Sequence, residues 1–251
     1  MTFVEWLAGK NNPRLPKSEY LYGAKHLSVW IGVVVLSIIV SIILAKKSKT
    51  TKDKFFKIFA LIFMVLDILD KVVYLIFLDK FDIESIVATV VPMYFCNVVI
   101  WLVIISLLTK KQSLINSGAI FGLLVTFAFF VSPYAGFSRK YMTFDALYSI
   151  VSHSLGLFLS IVMIATRYAK FNIKTIWQPF VIFAIFLSYG LTTSLLIFPG
   201  HDYFSILNNQ LGIDFGIPWW SVYVIFVAVW ITSFYLIELI LHKIKKQIKV
   251  S

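Results

Sequence analysis

FALIFMVLDILDKVVYLIFL, residues 59–78, is twenty residues long and carries three charges, Asp67, Asp70 and Lys71, near its middle. A helix rises about 1.5 Å per residue, so a stretch of this length crosses a hydrocarbon core about 30 Å thick. Charged side chains inside such a span are costly and face one another or a cavity. Asp67 and Lys71 are four positions apart and Asp70 is three from Asp67, so one helical face holds all of them. Either the ion pair locks this helix against its neighbours, or the carboxylates serve a site at mid-depth.

The rest of the chain repeats the apolar theme. Of 251 residues, 60% are hydrophobic and 14% charged, with a mean hydropathy of +0.89. That much apolar side chain does not fit into one water-soluble core without leaving large exposed patches. Seven segments reach spanning length: 27–45, 55–78, 86–108, 115–133, 144–166, 176–198 and 219–241. Lipid offers no partner to an unpaired backbone group, so all seven are expected as helices. The fold class is therefore all-α, a seven-helix transmembrane bundle forming a single domain and residing in the cell membrane. The polar ends read as short tails, and the opening residues lack the basic-then-apolar order of a cleaved signal peptide.

The formal net charge of +11 points to nucleic acid in a soluble protein, but here the basic residues cluster at the ends of apolar segments. Fifteen Lys and Arg fall on the side holding the first–second, third–fourth and fifth–sixth loops and the C-terminal tail, and seven on the other. The N-terminus is expected outside and the C-terminus in the cytoplasm. The charge serves topology and attraction to anionic lipid; nucleic acid is excluded, and nothing in the sequence names a protein partner.

The stretch VPMYFCNVVIW, residues 91–101, sets a proline, the chain's one cysteine and an asparagine inside an apolar segment. A lone cysteine excludes an intrachain disulfide and any multi-cysteine metal site. Cys96 lies about ten residues into the third segment, roughly 15 Å deep, and His153 lies as far into the fifth. Asp67 and Asp70 come to a similar level. A thiol beside an imidazole can form a nucleophilic thiolate, and a carboxylate can orient the imidazole, which suits acyl transfer through a thioester. Pro92 loosens the helix one turn before Cys96 and makes room there. The plainer readings are a buried inert cysteine and a histidine that only bridges helices.

Past the sixth segment, His201, Asp202 and Tyr203 sit in a loop entered by Pro199 and Gly200, read as a lid over the outer mouth of the bundle. Adjacent His201 and Asp202 are poorly spaced for a metal and no third ligand is evident, so neither metal nor cofactor is expected. His26 opens the first segment on the same side. The competing class is a transporter or ligand-binding protein in which Asp67, Asp70, Lys71 and His153 handle a substrate or protons; a third is a scaffold. The seventh segment has no lysine for a retinal Schiff base, and the third ends ISLLTKK without a receptor-style acidic-Arg-Tyr motif.

The ordered set AKHLSVW, VPMYFCNV, GAIFGLLVTFAFFVSP, SIVSHSLGL, GHDYFSIL and GIPWWSVYVIF covers nearly the whole chain and resembles the YwaF-like integral membrane proteins. That superfamily has about seven helices and a eukaryotic branch associated with cysteine-dependent acyl transfer between glycerophospholipids. The resemblance implies Cys96 as nucleophile, His153 as the proton carrier, Asp67 or Asp70 behind the histidine, and Tyr94 or Asn97 at the oxyanion. It places His26, His201, Asp202 and Tyr203 toward substrate, with a membrane phospholipid as the implied one. The chain departs from the family's L-P-L-H-L-C-S-like motif, with Tyr94 in place of histidine and Asn97 in place of serine, and its GHDY stands where relatives carry G-S-N-Y.

Overall fold

The polar N-terminal stretch is not a loose tail. The computed structural model describes residues 2–8, 12–77, 83–131, 134–199, 201, 202, 204, 206, 207 and 216–248. A short helix α1 (Phe3–Ala8), an extended piece over residues 12–16 and the single turn α2 (Lys17–Tyr20) open the chain. The extended piece pairs with residues 138–141 through a lone antiparallel bridge, Arg14 to Arg139, with Leu15 N–H donating to the Ser138 carbonyl at 2.6 Å. Asn12 is buried at its centre. Its Nδ2 donates to the Tyr141 carbonyl and to Thr143 Oγ1, both at 2.8 Å, and its Oδ1 accepts the Tyr141 N–H at 2.9 Å. Asn12→Ala removes all three bonds and leaves their partners dry, so it should lower stability by about 1–3 kcal/mol. The check is a lower thermal midpoint together with faster proteolytic clipping of residues 1–20; an unchanged midpoint and clipping rate argue that the segment is not clamped there.

Then come α3 (Ala24–Ala45), α4 (Lys49–Ile76), α5 (Ile83–Val90), α6 (Phe95–Thr109), α7 (Gln112–Val131), the turn α8 (Tyr134–Phe137), α9 (Phe144–Ala165), α10 (Trp177–Thr192) and α11 (Trp219–Ile248). A 3₁₀ turn, Ile173–Thr175, leads into α10, and a π-helical turn, Thr193–Ile197, extends it. Ser48 caps α4 by accepting the Thr51 N–H.

The third segment, expected as one helix over 86–108, is two. Proline has no N–H and its ring clashes with the preceding turn, so Pro92 ends α5, and residues 91–94 turn before α6 starts afresh at Phe95. Cys96 therefore occupies the first turn of a helix, not its middle. Among the described residues, five helical stretches are long and apolar enough to cross a membrane: Lys17–Ala45, Gln112–Val131, Phe144–Ala165, Ile173–Ile197 and Trp219–Ile240. α4 has the length, 28 residues, but carries charges along it, and α6 is apolar but 15 residues long.

The central helix is α7: 67% of its apolar window is buried, against 17% for the stretches holding α3 and α11. It packs on α6 and α9, while α3 and α4 close one flank and α10 and α11 the other. Ile31, Val35, Ile38, Ile42, Val229 and Ile237 stay exposed on the peripheral helices, as lipid-facing side chains do. Burial is as good inside lipid tails as inside protein, so helices associate there through close packing of small residues. A Cβ on Gly122 of α7 falls 2.4 Å from Ser160 Oγ of α9, and one on Gly156 of α9 falls 2.6 Å from Thr126 Cγ2 of α7. Only glycine permits that approach.

Candidate functional site

Cys96 of α6 and His153 of α9 line one small cavity beside this seam, with Phe63 of α4, Gly122 and Thr126 of α7, and Ser152 and Gly156 of α9. Its volume is about 10 Å³, room for about one water molecule. Gly122 and Gly156, which let α7 and α9 approach so closely, form part of its wall.

His153 is oriented by its own helix. Nδ1 lies 2.6 Å from the Ser149 carbonyl, which has no proton to give, so Nδ1 carries the hydrogen in the neutral ring and Nε2 keeps its lone pair. Among the described residues Nε2 makes no hydrogen bond. The ring stacks on Phe129 at a centroid distance of 3.9 Å and an interplanar angle of 13°, which fixes its plane. Cys96 Sγ points to Asn97 Oδ1 at 3.6 Å. Tyr94 precedes both as the N-cap of α6 and supplies no side-chain cap bond, so the first-turn N–H groups of Phe95, Cys96 and Asn97 face the break without a helical acceptor. Tyr94 itself is 53% exposed.

The carboxylates are placed elsewhere than behind the imidazole. Asp67 is 1% exposed and accepts three bonds: from Lys71 Nζ at 2.5 Å, Trp101 Nε1 at 2.9 Å and Tyr148 Oη at 2.7 Å. Lys71 also lies 5.9 Å from the Trp101 ring centroid. This pin ties α4 to α6 through Trp101 and to α9 through Tyr148. Asp70 makes no hydrogen bond or ion pair among the described residues. The group that orients His153 is thus the Ser149 carbonyl.

The remaining expected residues spread over two other places. Asp202 is a loop brace: its two oxygens accept the N–H groups of Ile206 and Leu207 at 2.9 and 3.0 Å. It thereby seats Phe204 and Ile206, both 2% exposed, in the core between α6 and α10, where the Phe204 ring is 5.5 Å from that of Phe95. Phe204 and Ile206 thus plug the space between α6 and α10. His201 is exposed beside it, and Tyr203 lies outside the described residues. His26 is buried in the first turn of α3 against Phe130 and Phe137 and accepts the Tyr22 N–H on Nδ1, away from Cys96.

Trp101, Tyr148, Ser149 and Phe129 are missing from the expectation. A tryptophan in the middle of an apolar helix, far from the interfaces where these rings usually sit, was the readable signal for Trp101. Nothing in the sequence marks a backbone carbonyl or a stacked phenylalanine.

Over residues 21–238 the sequence matches the family model described as the TMEM164 family. No curated protein and no solved structure gives a match.

Proposed function

Because the chain belongs to the TMEM164 family and is a multi-pass membrane protein, we propose that it is a membrane-embedded acyltransferase using Cys96 and His153 on a phospholipid acyl group. The observation that carries this reading is the shared cavity lined by both Cys96 and His153, with Nδ1 engaged by the Ser149 carbonyl so that Nε2 keeps its lone pair. The likeness to YwaF-like proteins and to their cysteine-dependent acyltransferase branch adds the substrate class. The proposal includes seven crossings of the cell membrane, with α4 and the α5–α6 pair as the second and third, the N-terminus outside and the C-terminus inside.

In the proposed cycle Nε2 takes the thiol proton and the thiolate attacks the ester carbonyl of the donor lipid. Negative charge gathers on the carbonyl oxygen, where the free first-turn N–H groups of α6 can donate to it. The tetrahedral adduct collapses to a thioester as the lysolipid alkoxide leaves with the proton from His153. An acceptor hydroxyl then gives its proton to Nε2, attacks the thioester and releases Cys96 as the thiol. A cavity of about 10 Å³ has room for about one water molecule and for no acyl chain, so it has to widen for substrate to enter.

The transport reading has less behind it. Asp67 is saturated by Lys71, Trp101 and Tyr148, which leaves it little capacity for a passing cation or proton.

The test is intact-mass analysis of the full chain in lipid nanodiscs containing a phospholipid donor. The expected result is an acyl adduct on the wild type, absent from Cys96→Ser, and formed about 10²–10⁴-fold more slowly in His153→Ala, the usual contribution of a general base. A folded wild type that never acquires the adduct overturns the proposal, and flux through Cys96→Ser but not Asp67→Asn moves it to transport.

A further inference from the structure

At the end of the bundle where α3 begins, the docked N-terminal segment walls a second cavity of about 360 Å³. That falls within the range of about 300–1,000 Å³ typical of small-molecule sites. Lys25, Arg139 and Lys140 line it, against the one carboxylate of Glu19. Among the described residues none of these four joins an ion pair. Arg139 uses Nη1 to hold the Asn12 carbonyl at 3.1 Å, leaving the rest of its planar fork to donate. The Lys140 ammonium lies 5.5 Å from the Tyr141 ring centroid.

The start of α3 opens onto the same space, since Gly23, Ala24, Lys25 and His26 all line it. Gly23 is the N-cap and brings no side chain to the first-turn N–H groups of this 22-residue helix. Unsatisfied N–H groups, the positive end of a helix and three cationic side chains around one hollow favour a compact oxyanion. The apolar wall of α3 just beyond, with Ile31 and Val35 exposed, suits the tails of a lipid whose headgroup sits in the hollow.

We propose that this cavity binds a phosphate group through Lys25, Arg139, Lys140 and the N-terminus of α3. Two sources carry that chemistry, the headgroup of an anionic phospholipid and free inorganic phosphate. The site is separate from the Cys96 cavity, with the ring cluster of Phe129, Phe130 and Phe137 packed between His26 and His153. A Cys96→Ser protein therefore keeps it, and the two proposals stand or fall independently.

The experiment measures retention of phosphatidylglycerol by the purified full chain with native mass spectrometry, with and without millimolar inorganic phosphate. Lys25→Gln/Lys140→Gln leaves the Arg139–Asn12 bond in place and should retain the lipid about tenfold more weakly, the loss expected for two weakened charge-assisted bonds. Lys46→Gln/Lys47→Gln removes the same charge past the other end of α3 and should bind as the wild type. Displacement of the lipid by phosphate identifies the free ion as a ligand; lipid binding that phosphate does not disturb identifies the headgroup. The proposal is overturned when a normally melting Lys25→Gln/Lys140→Gln protein binds both probes as the wild type does, or loses no more than the Lys46→Gln/Lys47→Gln control.

Discussion

Asp67→Ala is expected to destabilise the protein by about 3–5 kcal/mol, the range for removing one partner of a buried ion pair. The substitution leaves the Lys71 ammonium, whose side chain is 14% exposed, without its counter-charge, and strips the acceptor from Trp101 Nε1–H and Tyr148 O–H. Lys71→Met should cost less, because Asp67 then still has two donors. In Asp67→Ala/Lys71→Met the stranded charge is gone, so more than half of the lost stability should return. Unfolding midpoints in mild detergent, read by tryptophan fluorescence, give the cycle. Equal melting of Asp67→Ala and wild type would show that the three bonds contribute nothing net.

The same variant bears on chemistry. Trp101 lies five residues after Cys96 on α6, and Tyr148 five residues before His153 on α9. Through Asp67 they set how α6 and α9 are turned toward each other, and so whether thiol and imidazole face one cavity. In the proposed reaction Asp67 is a positioning residue, and Asp67→Asn, whose one oxygen can still accept from Trp101 and whose amide nitrogen can donate to the Tyr148 hydroxyl oxygen, should rescue acyl-adduct formation better than Asp67→Ala.

Phe204→Ala is the second large effect, about 3–5 kcal/mol, as for other phenylalanines truncated inside a packed core. Phe204 is 2% exposed, and its ring lies 5.5 Å from Phe95 and 5.7 Å from Tyr189. It fits only because residue 190 is glycine, where a Cβ would fall 2.6 Å from the ring. Since Phe95 is the neighbour of Cys96, unseating the plug should also speed alkylation of Cys96 by a membrane-permeant maleimide. Gly190→Val should reproduce both effects by expelling Phe204. Wild-type melting and wild-type alkylation in both variants would remove the loop from any gating role.

Much of the candidate site was legible because chemistry-bearing residues are rare in an apolar chain. One cysteine, one histidine and two carboxylates at mid-depth stand out in segments of Leu, Ile, Val and Phe, and Cys96 and His153 do share a cavity. What each carboxylate touches was not legible. Asp67 and Asp70 are three positions apart on one helix, yet Asp67 is buried among three donors while Asp70 makes no bond among the described residues. The difference is a rotation of a few tens of degrees about the α4 axis, and that rotation is set by what α6 and α9 place opposite. Pro92 announced a disturbance; that it ends one helix and begins another, so that Cys96 gains the free N–H groups of a first turn, depends on where α10 and the Phe204 loop leave room.

Membrane residence and helical class needed no contacts at all. They follow from transfer free energies summed residue by residue and from the rule that lipid leaves no backbone group unpaired, both of which can be read along the chain. The clamped N-terminal segment, the Asp67 pin and the cavity shared by Cys96 and His153 each join residues about 30 to 140 positions apart. These were decided by tertiary packing alone, because glycine and serine at the α7–α9 seam fix how close and in what rotation the helices lie, and that geometry belongs to no single segment.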